Sequence, residues 1–156
     1  MRARDWFEQI LADVEELKAL EQAIEAAEAQ TGPRGQNVGS IGGGGGSHDG
    51  MRGIDRIVDA GLREKAERQR AKVNPQVERA LEVLYGRSGR GGLAKERGQL
   101  DADILCCHYL QGVEWSRIAR DIVRADTEYP TQWCRHRAMR ALLLIDKVGP
   151  EPLADS

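Results

Sequence analysis

Side chains suited to binding nucleic acid are concentrated between residues 130 and 145. They combine cationic groups with planar hydrogen-bond donors, and they are Gln132, Trp133, Arg135, His136, Arg137 and Arg140. Arginine binds phosphate oxygens or donates two hydrogen bonds to guanine, and glutamine pairs in a similar way with adenine. These residue types predict binding to double-stranded DNA. Such binding needs no cofactor and no metal.

The apolar residues of the same segment recur three and four positions apart, which predicts one helix from Pro130 to Ile145. Its core side is predicted to carry Thr131, Cys134, Ala138, Ala141, Leu142 and Ile145. The candidate DNA contacts then lie on the opposite side, with Arg135 near the edge.

Two shorter helices are predicted to hold this basic helix in place. The first runs from about Asp101 to Gln111 and ends at Gly112, which tolerates the left-handed backbone of a tight turn. The second runs from about Glu114 to Val123 and is predicted to bury Trp115, Ile118, Ala119 and Ile122. Arg117 and Arg120 on this helix are predicted to contact phosphates. The segment 100–148 is therefore predicted to be a helix–turn–helix domain.

This segment resembles known transcription factors. ILCCHYLQGVEWSRIA followed by CRHRAMRALLLID resembles the region 4 helix–turn–helix of sigma-70-type factors. It is more closely similar to phage late-gene transcriptional regulators of the ArpU/RinA type, which the segment MRGIDRIVD also resembles. The resemblance implies binding to promoter DNA and activation through host RNA polymerase. Glu114 is a poorer helix cap than the serine usual in that family, and the turn before Pro130 is longer by about two residues.

The rest of the chain predicts further helices around a glycine-rich break. Residues 1–31 carry an amphipathic stripe whose partner is either another part of this chain or a second copy. Residues 32–50, with five consecutive glycines, predict a flexible linker. Residues 51–99 predict a helical connector, in which Asn74 and Pro75 begin a separate helix. Residues 149–156 predict a disordered tail.

Composition predicts an all-α fold. Hydrophobic residues make up 40% of the chain but aromatic residues only 4%, so the core depends on Leu, Ile, Val and Ala. The formal charge of −2 conceals an asymmetry: residues 1–31 carry eight acids and three bases, whereas residues 61–97 carry ten bases and five acids. The three cysteines and the absence of a long apolar run predict a soluble cytoplasmic protein without a membrane segment.

Two other chemistries are disfavoured by residue spacing. Cys106, Cys107, His108, Cys134 and His136 are zinc-ligand types, but neighbouring cysteines cannot close the chelate loop of a CxxC pair. A nucleophile pair of Cys134 and His108 has no orienting acid in its motif. The chain is therefore predicted not to be an enzyme.

Three alternatives to a transcriptional regulator remain open. A phage terminase small subunit would use the same motif in a ring of about eight or more chains. A phage antiterminator would retain zinc. A helical protein-interaction module would bind through its acidic N-terminal stripe and show no salt-dependent affinity for DNA.

Overall fold

The fold is all-α, as predicted. A computed structural model describes residues 1–31, 49–123 and 128–156, with side chains over 1–29, 58–122 and 128–156. These residues contain no strand. Their helices are α1 (Ala3–Thr31), α2 (Asp49–Tyr85), α3 (Gly92–Arg97), α4 (Gln99–Leu105), α5 (Trp115–Ile118), α6 (Pro130–Val148) and α7 (Pro150–Asp155). A π-helical turn extends α4 over Cys106–Leu110, and another extends α5 over Ala119–Val123.

The helices form two compact units, Met1–Glu15 with Lys72–Ser156, and Glu16–Ala71. Residues 1–31, predicted as one amphipathic helix, are divided between these two units. Phe7 and Ile10 of α1 are almost completely buried in the first unit, and the ring of Phe7 lies 5.5 Å from that of Tyr109. The backbone N–H of Ala3 also donates to Asp146 on α6, at 2.6 Å.

The core of the first unit is built from every helix that enters it. Its largest fully buried apolar side chains are Phe7, Ile10, Val83, Leu84, Leu93, Ile104, Leu105, Ile118, Ile145 and Leu153. Residues 72–99 contribute Val83, Leu84 and Leu93 to this list, so they are part of the domain and not a connector.

The second unit pairs part of α1 with part of α2. Arg70 contacts Glu21 at 3.2 Å, and Arg63 contacts Glu28 at 2.5 Å, so the two helices run antiparallel here. All four side chains are about half exposed, and such pairs contribute little stability. In the described residues, part of the acidic stripe therefore finds its partner within the chain.

Helix α2 passes through Pro75 without interruption, so the separate helix predicted from Asn74 is wrong. Proline lacks the N–H that would bind the carbonyl four residues earlier, which costs roughly 3 kcal/mol inside a helix. Buried side chains on either side of it, Val73 and Ala80, supply packing that offsets this cost.

The predicted disordered tail is also wrong, because α7 folds back onto the loop after α2. Leu153 and Ala154 are buried, and the carbonyl of Ala154 accepts a hydrogen bond from the N–H of Arg87. The predicted flexible linker lies outside the described residues, except that Asp49 and Gly50 begin α2.

Candidate nucleic-acid interface

The turn before α5 has the geometry that its sequence predicts. Gly112 adopts a φ of +67°. The N–H of Gly112 binds the carbonyl of His108, and the N–H of Val113 binds that of Cys107. These two bonds satisfy carbonyls at the end of the preceding helical segment, which would otherwise lack partners. Glu114 precedes α5 without a side-chain capping bond, as expected for a poor cap.

Helix α6 begins at Pro130, the predicted residue, and packs on both preceding helical segments. Cys134, Ala138, Ala141, Leu142 and Ile145 are buried as predicted, and Thr131 is half-buried. Ile122, which was predicted to enter the core from the second helix, is instead 39% exposed. Part of the turn between these helices, residues 124–127, lies outside the described residues.

Four of the six predicted contacts on α6 are exposed together on one side of the helix. They are Gln132, Arg135, His136 and Arg140. Arg135 and Arg140 make no ion pair within the described residues, so both guanidinium groups retain their donors for another molecule. The spacing 132, 135, 136 and 140 is that of one helical face.

Trp133 and Arg137 are arranged differently. Both are half-buried, and the guanidinium of Arg137 lies 4.8 Å from the centre of the Trp133 ring. Arg137 Nε also donates to Asp101 at 2.5 Å, and Arg97 Nε donates to the other oxygen of Asp101 at 2.8 Å. Asp101 is completely buried. We call these three residues the Asp101 cluster.

The Asp101 cluster joins three helices, because Arg97 lies on α3, Asp101 on α4 and Arg137 on α6. A buried carboxylate is stable only when its charge and hydrogen bonds are satisfied, and the two arginines satisfy both oxygens. The sequence signal for this cluster was a charged residue, Asp101, beside buried positions of α4.

The predicted phosphate contacts on the second helix share one acidic partner. Arg120 contacts Asp121 at 3.0 Å and Arg117 contacts it at 3.5 Å. Their hydrogen bonds hold the pKa of Asp121 below its usual value and raise that of Arg120. All three side chains are largely exposed, so the pairs are weak and a phosphate can replace the carboxylate.

A groove beside these residues was not predicted. It has a volume of about 690 Å³ and lies between the start of α1 and α6. Met139 and Leu143, at its edge, are 53% and 61% exposed. The helical spacing could have predicted the exposure of both residues, since they fall on the exposed side of α6 beside Arg135 and Arg140.

Aromatic side chains close one end of the groove. His108 stacks on Trp115 with 3.8 Å between ring centres, and its Nδ1 donates to the carbonyl of Val113 at 2.9 Å. Burial lowers the pKa of His108, and this effect outweighs the hydrogen bond to Val113, which acts in the opposite direction. His108 is therefore a neutral, structural part of this wall near pH 7.

The cysteines and histidines do not form a metal site in the part of the chain that the structure describes, where no three ligand side chains come together. Cys134 is fully buried, and burial raises the pKa of Cys106, Cys107 and Cys134. These thiols therefore remain protonated near neutral pH. Across the described residues, no helix has the length and apolar character needed to cross a membrane.

Comparison with known proteins gives no relative. No family model, no curated protein and no solved structure matches this chain.

Proposed function

We propose that this protein is a sequence-specific DNA-binding regulator of transcription, with α6 as the helix that enters the major groove. One observation supports the proposal above all others: α6 exposes Arg135 and Arg140 on one side, with no acidic partner in the described residues. Some exposed arginines elsewhere in the described residues do pair with a nearby carboxylate, as Arg68 does with Glu64 on α2.

The exposed face supports both parts of DNA recognition. Gln132 and Arg140 have the donors and acceptors to read base edges, and Arg135 and His136 lie beside them. Arg117 and Arg120 on the preceding segment supply phosphate contacts, which fix the orientation of the protein on the duplex. Arg137 positions α6 and does not belong to this face, because its Nε donates a hydrogen bond to Asp101.

The partners follow from the resemblance to phage late-gene regulators. In this proposal the DNA is a promoter, and host RNA polymerase is the protein partner through which the regulator activates transcription.

The proposal is tested by selecting bound sequences from random duplex DNA and measuring Kd on the selected and a scrambled duplex. Arg140→Gln should weaken binding to the selected duplex by about 1–3 kcal/mol if the side chain reads a base. If it contacts a phosphate, both duplexes should be affected, and the slope of log K against log salt should become shallower by about one unit.

Arg68→Gln is the matched control, since it removes an exposed arginine from the other compact unit and should leave both affinities unchanged. Undiminished binding by the double variant Arg135→Gln/Arg140→Gln would exclude α6 as the reading helix. A protein without salt-dependent DNA affinity would instead be the interaction module.

A further inference from the structure

The groove between α1 and α6 has the composition of a ligand site. Its base is apolar, formed by Leu11 on α1 and by Ala138 and Leu142 on α6. Met139 and Leu143 stand at its edge, more than half exposed. Its volume of about 690 Å³ lies within the range of small-molecule sites. None of these five apolar residues belongs to the proposed DNA-binding face.

The groove is elongated. Its lining residues on α6 extend from Arg135 to Asp146, eleven positions that correspond to about 16 Å of helix. A straight chain fits such a shape better than a compact ring system does. Methionine is unbranched and flexible, so Met139 can fold over a bound chain and leave water.

The groove carries more positive than negative charge, because three arginines but only two acids line it: Arg2, Arg4, Arg135, Glu8 and Asp146. Glu8 is held by Arg4 at 2.8 Å, and Asp146 accepts the N–H of Ala3. Arg2 and Arg135 line the groove and make no ion pair in the described residues, and Arg135 is the one whose charge acts on His108. Guanidinium binds a carboxylate with two parallel hydrogen bonds. The unmatched charge of the groove is therefore positive, beside an apolar trough.

We propose that this groove binds a medium-chain aliphatic carboxylate, with its head group on Arg135 and its chain along Leu11, Ala138 and Leu142. The site itself stands on the geometry of the groove. Its consequence rests on the proposed function: a carboxylate on Arg135 occupies a guanidinium that α6 would otherwise offer to DNA. The ligand therefore weakens DNA binding and makes the regulator responsive to a small molecule.

Titration calorimetry with dodecanoate, kept below the concentration at which it forms micelles, tests the site directly. We expect saturable binding of one molecule per chain. Shortening the chain to decanoate and octanoate should weaken binding by about threefold to fourfold for each methylene removed. Arg135→Gln should weaken dodecanoate binding by at least about tenfold. Dodecanol, which lacks the charge, should bind that variant and the unaltered protein equally.

Lys147→Gln is the matched control, because Lys147 is an exposed cation on the same helix that does not line the groove. It should leave dodecanoate affinity unchanged. Leu143→Gln should weaken dodecanoate and dodecanol alike. Absence of saturable binding, or equal losses in Arg135→Gln and Lys147→Gln, would overturn the proposed site. Binding of an acidic amphipathic peptide helix in the groove, without binding of dodecanoate, would also overturn the proposed site.

A DNA-binding measurement separates this inference from the proposed function. Saturable dodecanoate binding by a protein with no DNA affinity supports the site and refutes the proposed function. Salt-dependent DNA binding without dodecanoate binding supports the proposed function and refutes the site. Where both ligands bind, saturating dodecanoate should lower DNA affinity by about tenfold, and unchanged affinity would refute the regulatory consequence.

Discussion

At the scale of single residues, Asp101 determines how the candidate DNA-binding helix is held. Its buried carboxylate accepts one hydrogen bond from α3 and one from α6. Breaking a buried ion pair on one side costs about 3–5 kcal/mol, since the remaining charge is left without its partner. Both arginines stay about one-third exposed, so water can solvate them and the cost falls near the lower end of that range.

We therefore expect Asp101→Asn to lower the free energy of unfolding by about 3 kcal/mol, as measured by urea denaturation. Arg137→Gln should lower it as well, and the double variant should lose less than the sum of the two changes. Both single variants should also weaken DNA binding, because they release α6 from its position.

Variants of Arg137 and Arg97 distinguish a role of Arg137 in positioning α6 from direct contact of Arg137 with DNA. Arg97→Gln is the matched control, since it removes the other arginine of the Asp101 cluster without changing α6 itself. If Arg137→Gln abolishes sequence preference while leaving unfolding unaffected, Arg137 touches DNA and the positioning role is refuted.

At the scale of helices, the glycine loop after α2 and helix α7 depend on each other. Gly92 has a φ of +65°, and a Cβ there would lie 2.6 Å from the carbonyl oxygen of Val83. A Cβ on Gly91 would overlap the carbonyl oxygen of Ser156. The loop therefore approaches α2 and the end of α7 more closely than any other residue type would allow.

Leu153→Ala should test how much α7 contributes to the first unit. Leu153 is 1% exposed, and truncating a buried leucine to alanine costs about 2–5 kcal/mol. We expect a loss of that size in urea denaturation. Pro152→Ala, at an exposed position of the same helix, is the control and should change the free energy of unfolding little. A disordered segment would give no loss in either variant.

The helices that follow a local pattern were predictable, and the contacts between distant segments were not. The basic helix was predicted to begin at Pro130, as it does, because its apolar spacing and its proline are local signals. Helix α7 was missed because it is six residues long and includes two prolines, and its burial depends on the distant glycine loop. The exposure of Gln132 and Arg140 was predicted for the same local reason. The local sequence marks Asp101 as a charge beside buried positions, but it does not indicate Arg137, 36 positions away, as its partner.

At the scale of the whole molecule, the amphipathic stripe of α1 is largely used within the chain. Phe7, Ile10 and Val14 are buried in the first unit, and Glu21 and Glu28 pair with arginines of α2 in the second. Because the first half of its apolar stripe is buried within the chain, α1 has less apolar surface to offer a second copy. This distribution favours a small assembly over a large ring.

We therefore expect light scattering to give the mass of one or two chains at micromolar concentration. Raising the salt to about 1 M should leave this mass unchanged. Salt screens the cross-helix ion pairs of the second unit, but these pairs are exposed and contribute little. A mass of eight or more chains would contradict this expectation and favour a terminase small subunit, whose ring would present many copies of α6 to DNA at once.

A dimer that binds DNA would require two half-sites about 34–36 Å apart, or a multiple of that spacing, because each copy of α6 must face the same side of the duplex. The selected DNA sequences test this directly: a monomer should select a single site, and a dimer should select a repeat with that period.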